Sequence, residues 1–202
     1  MNKFDGKRIE LSNFSEYLLE TYGIKEDTEI FYTQLSGIEP LLQINLGEKY
    51  DGDCSLTSIT EYLYYMEDGL YPVEVIYDQI RTMAETKGYY HNKATCPIFI
   101  APLMRKNNTL ELRCRARYLK NIGFNFNTIT KCIDNELPVI LNMTHDGREY
   151  YKNHSVTVIG YTVVKGHRFL IIHDNWKRCN SFVDYDRMSF LSSINFLSWD
   201  YK

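Results

Sequence analysis

The stretch HSVTVIGYTVVKGHRFLIIHDNW, residues 154–176, decides how this chain folds. Two apolar runs flank Lys165-Gly166-His167, a tight turn, so they read as an antiparallel hairpin. Strand alternation puts His154, Val156 and Val158 on one face and Ser155, Thr157 and Ile159 on the other. The short turn returns the end of the second run to the start of the first. Asp174 thereby comes close to His154, where a carboxylate can fix an imidazole tautomer and stabilise its cation. His173 points to the opposite face by the same alternation.

Upstream of the hairpin, Pro138 opens PVILNMT, a further strand, followed by the polar loop HDGREYYKN. Before it, FNFNTI alternates as a strand and KCIDNEL makes a short helical turn. Earlier still the texture is helical. In GDCSLTSITEYLYYM, residues 52–66, Leu56, Ile59, Leu63 and Met66 recur at helical spacing. PVEVIYDQIRTMAETKGYY reads as a second helix, with Pro72 near its start and Gly88 as its stop. NNTLELRCRARYLKNIG, residues 107–123, reads as a third, capped by Asn or Thr and ended by Gly123. Its Arg and Lys residues, with Arg105 and Lys106 before them, then form a solvated face. Helices first and antiparallel strands second predict an α+β domain.

Residues 1–45 read as an N-terminal extension of unknown role, with one amphipathic helix around Phe14–Tyr22 stopped by Gly23. Residues 46–202 read as one folding unit, since no linker or low-complexity segment divides them. A chain of 202 residues can bury a real core. Its net charge of −3 argues against a nucleic-acid partner, whose phosphates require surplus Lys and Arg. There is no apolar signal region at the N-terminus and no apolar run of about 18 residues. The expectation is a cytoplasmic protein without a membrane partner; the oligomeric state is left open. The five cysteines include no CxxC pair, so neither a zinc ribbon nor a thioredoxin motif has support, and reduced thiols are expected.

A cysteine nucleophile needs a lowered pKa, a base and a group that orients the base. Cys54 opens the first helix, where unpaired N–H groups and the helix dipole favour a thiolate. His154 is the candidate base and Asp174 the candidate orienter. Cys96 and Cys179 fall in loops and Cys114 and Cys132 inside apolar patterns, so these four read as structural. His145 and His167 lie in turns, and His91 in a polar connection. Ser55, Thr57 and Ser58 fit capping of the helix better than a nucleophile's role.

The order of these motifs is similar to that of the papain-like cysteine peptidases. Cysteine on a helix comes first, then His154 to Tyr161 (HSVTVIGY), then Phe169 to Trp176 (FLIIHDNW). Where papain-like enzymes end the last strand in Asn-Ser-Trp, this chain has Asp174-Asn175-Trp176. Together with PVIL before the histidine, that resembles the bacterial branch that cleaves double-glycine leader peptides. The resemblance runs from about Gly47 to Trp176 and implies N-terminal helices, the nucleophile helix among them, packed on a C-terminal antiparallel sheet. It implies a Cys54–His154–Asp174 triad acting on a peptide or protein through a thioester, with no metal or organic cofactor. Trp176 then either covers the His–Asp bond, as the family's Trp does, or is an ordinary half-buried aromatic. The family's oxyanion Gln stands shortly before the cysteine, but position 48 is Glu. Gln43 or Asn45 could return to the site through a longer loop, or the Cys54 N–H could act without a side-chain partner. An acyltransferase or transglutaminase-like enzyme, and an inert binding domain, are compatible with the same pattern.

Overall fold

The computed structural model describes residues 3–4, 6–43, 53–91, 94–107, 114–120, 125–148 and 150–199. In chain order its helices are α1 (Phe14–Tyr22), α2 (Cys54–Met66), α3 (Val73–Thr86), α4 (Ile100–Asn107) and α5 (Phe126–Asp134). Its strands are β1 (Ile9–Glu10), β2 (Thr33–Gln34), β3 (Tyr90–His91), β4 (Ala94–Thr95) and β5 (Cys114–Leu119), followed by β6 (Val139–His145), β7 (Lys152–Val164), β8 (His167–His173), β9 (Ser181–Asp184) and β10 (Ser193–Trp199). The fold is α+β: helices, with Cys54 opening α2, pack on a largely C-terminal antiparallel sheet.

The hairpin is the middle of that sheet. β7 and β8 pair antiparallel, with β6 on the other side of β7, in the order β1-β9-β8-β7-β6-β10-β5. β2 adds to β7 opposite Gly160 and Tyr161. Gly160 permits that approach, because a Cβ there would lie 2.5 Å from the Thr33 carbonyl oxygen. The register shift between Val158 and Gly160 marks a bulge at the same place.

Helices cover both sheet faces because each presents an apolar stripe. Leu56, Ile59 and Leu63 of α2 join Ile76, Tyr77 and Ile80 of α3 and Leu103 and Met104 of α4 over Ile140 and Leu197. Full burial of such side chains contributes roughly 1.5–3 kcal/mol each. Phe126, Ile129, Cys132 and Ile133 of α5 pack with Val139, Leu141, Val156 and Val158. Phe14, Tyr17 and Leu18 of α1 pack with Phe169, Ile171 and Phe182.

Two expected elements are corrected. Residues 114–119 are not helix but an edge strand, paired with β10 from Leu119↔Ile194 to Cys114↔Trp199. Arg115 and Arg117 are exposed and Ala116 is buried, a two-residue period that tertiary pairing reads as strand although the segment suits a helix by propensity. The basic residues Arg115 and Arg117 therefore share a strand face, not a helix face. Conversely, the FNFNTI–KCIDNEL region is a helix from Phe126 to Asp134. Its buried positions, 126, 129, 132 and 133, follow a helical period that straddles the boundary between the two short motifs.

Candidate active site

Cys54 is the first residue of α2, and Asp53 precedes it with a fully buried side chain that accepts a hydrogen bond from the Tyr77 hydroxyl. The first N–H groups of a helix have no partner within it, so Cys54 stands where backbone donors converge. His154, near the start of β7, lies beside the Cys54 thiol, and the two line one cleft. Burial pushes the thiol pKa up, but His154, the Ser155 backbone and the Ser55 hydroxyl outweigh it, and the thiol lies below the ordinary cysteine value.

His154 Nε2 lies 2.8 Å from the main-chain oxygen of Asp174, to which its N–H donates. That leaves Nδ1 as the nitrogen for the thiol. The expected contact between the His154 ring and the Asp174 carboxylate is therefore replaced by one to the Asp174 carbonyl. The carboxylate is occupied elsewhere: Oδ2 accepts from the Tyr151 hydroxyl at 2.8 Å and is 3.0 Å from Arg8 Nε. Oδ1 accepts the Trp176 and Lys177 N–H groups at 3.1 and 3.2 Å. Trp176 stacks on the imidazole, with ring centroids 4.1 Å apart, while remaining 46% exposed.

Beneath the pair runs a buried polar network. Ser55 Oγ and Ser155 Oγ are 2.9 Å apart, and Ser155 Oγ donates to Asn142 Oδ1 at 2.8 Å. Asn175, in the left-handed region at φ 64°, turns its Nδ2 to the Cys54 carbonyl (3.2 Å), Ser58 Oγ (2.9 Å) and the Ser155 carbonyl (3.1 Å). One amide thus binds the start of α2 to β7. Asn175 was legible only as the middle of Asp-Asn-Trp; Ser155, Asn142, Tyr151 and Arg8 had no local signature.

Cys54 and His154 open into a cleft of about 470 Å³. Asn142 and Ser155 line it with Cys54 and His154, and Tyr89, Phe99, Tyr118, Met143 and Leu191 add apolar surface. Tyr89 and Phe99 are stacked at 4.3 Å. Cys96 also lines this cleft, whereas Cys132 is buried against β-sheet residues and its thiol is pushed up to about 12 by burial. His173 is turned to the other face, 2.6 Å from Glu61 of α2. Burial raises the Glu61 carboxyl above the usual range, against the opposing effect of His173. His145 accepts the Gly147 N–H in its loop.

Of the oxyanion candidates, Gln43 approaches the site: its N–H donates to the Asn175 carbonyl at 3.0 Å. Asn45 and Glu48 lie outside the described residues. Among the described residues no group of three or more His, Cys, Asp or Glu is placed to hold a metal ion. Among the same residues no helix is long and apolar enough to cross a membrane.

This arrangement, a cysteine at a helix N-terminus facing a histidine on the central hairpin of an antiparallel sheet, is that of the papain-like cysteine peptidase superfamily. Residues 31–200 match the Peptidase_C39 like family, and the chain belongs to it. The match starts upstream of Gly47 and runs on through β9 and β10, beyond the motifs legible in the sequence. The fold is shared with a crystal structure from Bacillus anthracis assigned as a C39-like peptidase, at TM-score 0.52 and 15% identity. The similarity covers 83% of this chain and 98% of that one. No curated protein sequence matches this chain.

Proposed function

We propose that this protein hydrolyses a peptide or amide bond through a Cys54 thioester, with His154 as general acid and base and Asp174 as orienter. The observation that carries the reading is the juxtaposition of Cys54, at the start of α2, and His154, held by the Asp174 carbonyl, in one open cleft; the charge of His154 beside it lowers the thiol despite its burial. The Cys54 thiolate attacks the scissile carbonyl carbon, and the electron pair moves onto oxygen. The Cys54 N–H, at the start of α2, receives that oxyanion, with Gln43 as a second donor. Protonated His154 gives its proton to the departing amine, leaving a thioester on Cys54. His154 then takes a proton from water, whose oxygen attacks the thioester, and returns it to the thiol as the carboxylic acid leaves. Trp176, stacked on the imidazole, limits water at the outer side of His154. The substrate is a peptide or protein segment held along the cleft.

The test is iodoacetamide labelling at about pH 6, where an ordinary thiol is mostly protonated. Cys54 is expected to react much faster in the native protein than in His154→Ala. Equal rates would remove the thiolate–imidazolium pair and the enzyme reading with it. Peptide libraries then identify the substrate, with Cys54→Ala as the inactive control. Product formed on an added amine instead of on water would assign acyl transfer in place of hydrolysis.

A further inference from the structure

Residues 6–10 run beside both segments that carry the site. The Gly6 N–H donates to the Arg148 carbonyl at 3.2 Å, and the Arg148 guanidinium donates to the Lys7 carbonyl at 2.7 Å. Ile9 and Glu10 pair with Phe182 and Ser181 of β9. Between these anchors lies Arg8, only 6% exposed. Its Nε is 3.0 Å from Asp174 Oδ2 and also bonds Ser181 Oγ, while Nη2 donates to the Cys179 carbonyl at 2.8 Å.

We propose that Arg8 is a positioning residue of the site, holding the Asp174 carboxylate away from His154 so that the Asp174 carbonyl orients the imidazole. A carboxylate has about four acceptor sites. Here Tyr151, Arg8, and the N–H groups of Trp176 and Lys177 occupy them. Turning the carboxylate toward His154 would break these bonds and leave the buried guanidinium with only the more distant Glu10 carboxylate as counter-charge, which is unfavourable. Around the carboxylate the charged and titratable groups are Arg8 and Glu10 of the N-terminal segment, Tyr150 and Tyr151 before β7, and Lys177 after β8. Glu10 is 3.6 Å from Arg8 and 3.1 Å from Lys177, so it faces both cations. The N-terminal segment thereby becomes part of the active site although none of its residues reaches the cleft. The catalytic consequence rests on the hydrolase reading above; the geometry does not.

The experiment compares the full-length protein with R8M, R8K, D174N and R8M/D174N. The Cys54 thiolate is titrated by difference absorbance against C54A, a readout that needs no turnover. Removing a positive charge makes nearby groups easier to protonate, so the R8M midpoint is expected to rise on the order of half a pH unit. R8K, which keeps the charge, is expected to stay at the native midpoint. In turnover, R8M is expected to lower kcat roughly tenfold with KM unchanged. The R8M/D174N protein is expected to match D174N, since the positioned group is already gone. An unshifted R8M midpoint overturns the proposal. Should R8M fail to fold, the double variant, which leaves no buried charge unpaired, decides: a further tenfold loss relative to D174N also overturns it. A native Cys54 that titrates as a free thiol and supports no turnover sinks the hydrolase reading instead, and leaves the midpoint comparison to judge Arg8.

Discussion

His154 meets Asp174 through the backbone: its Nε2–H donates to the Asp174 carbonyl at 2.8 Å, while the carboxylate of the same residue is bonded elsewhere. The acid at position 174 therefore braces the loop after β8, and the loop presents a carbonyl to the imidazole. A carbonyl selects the tautomer with hydrogen on Nε2 as a carboxylate would, but without its full charge.

D174N tests that division of labour. The amide leaves the main-chain carbonyl in place but removes the charge that faces Arg8. Its effect on kcat/KM is expected to be about tenfold, against roughly a thousandfold for H154A, which removes the proposed base. Stability is expected to suffer more: breaking a buried ion pair costs about 3–5 kcal/mol. Parallel urea melts and peptide turnover separate the two effects, and a D174N rate as low as that of H154A would give the carboxylate a direct catalytic role.

The lowered Cys54 thiol sets a pH dependence with a definite sign. A group whose folded pKa is depressed stabilises the fold fully above its unfolded value, about 8.5 for cysteine, and that stabilisation is lost as pH falls through the folded value. The difference in melting temperature between the native protein and C54A is expected to shrink on acidification. Alkylation should persist well below the pH at which a free thiol stops reacting. A rate profile that follows a free thiol would contradict the shift.

Trp176 stacks on His154 while nearly half exposed, so its removal leaves little cavity. W176A is expected to change stability by about 1 kcal/mol and to lower turnover roughly tenfold. W176F, which keeps a ring over the imidazole, should recover most of the rate. Thermal melts beside kinetics check this, and an unchanged W176A rate would reduce Trp176 to a surface aromatic.

Glu61 and His173 form a buried pair between α2 and β8, with His173 also 3.1 Å from Asn180 Oδ1. Glu61 further accepts the Leu41 N–H at 3.3 Å. E61A is expected to destabilise the protein by about 3–5 kcal/mol, because it leaves a buried imidazole and a backbone donor without their partner. E61Q, which can still accept a hydrogen bond, should cost clearly less. Urea unfolding of the two variants provides the comparison, and equal losses would mean that charge, not hydrogen bonding, holds the pair.

The hairpin, the helix that starts at Cys54 and the proximity of His154 to residue 174 were all determined by local pattern. Alternation, helical spacing and a short turn act over a few residues, so they are written where they operate. Residues 114–119 are a strand because edge pairing with β10 outweighs a local preference for helix, whereas FNFNTI joins the helical turn of KCIDNEL because one helical period of buried residues runs across both motifs. The atom by which Asp174 meets His154 had no trace in the chain's order. It depends on Arg8, Tyr151 and two turn amides converging on one buried carboxylate, and Arg8 arrives from a segment that no motif connects to the site. A buried charge is held by whichever donors the fold delivers to it, and only the tertiary structure decides which those are.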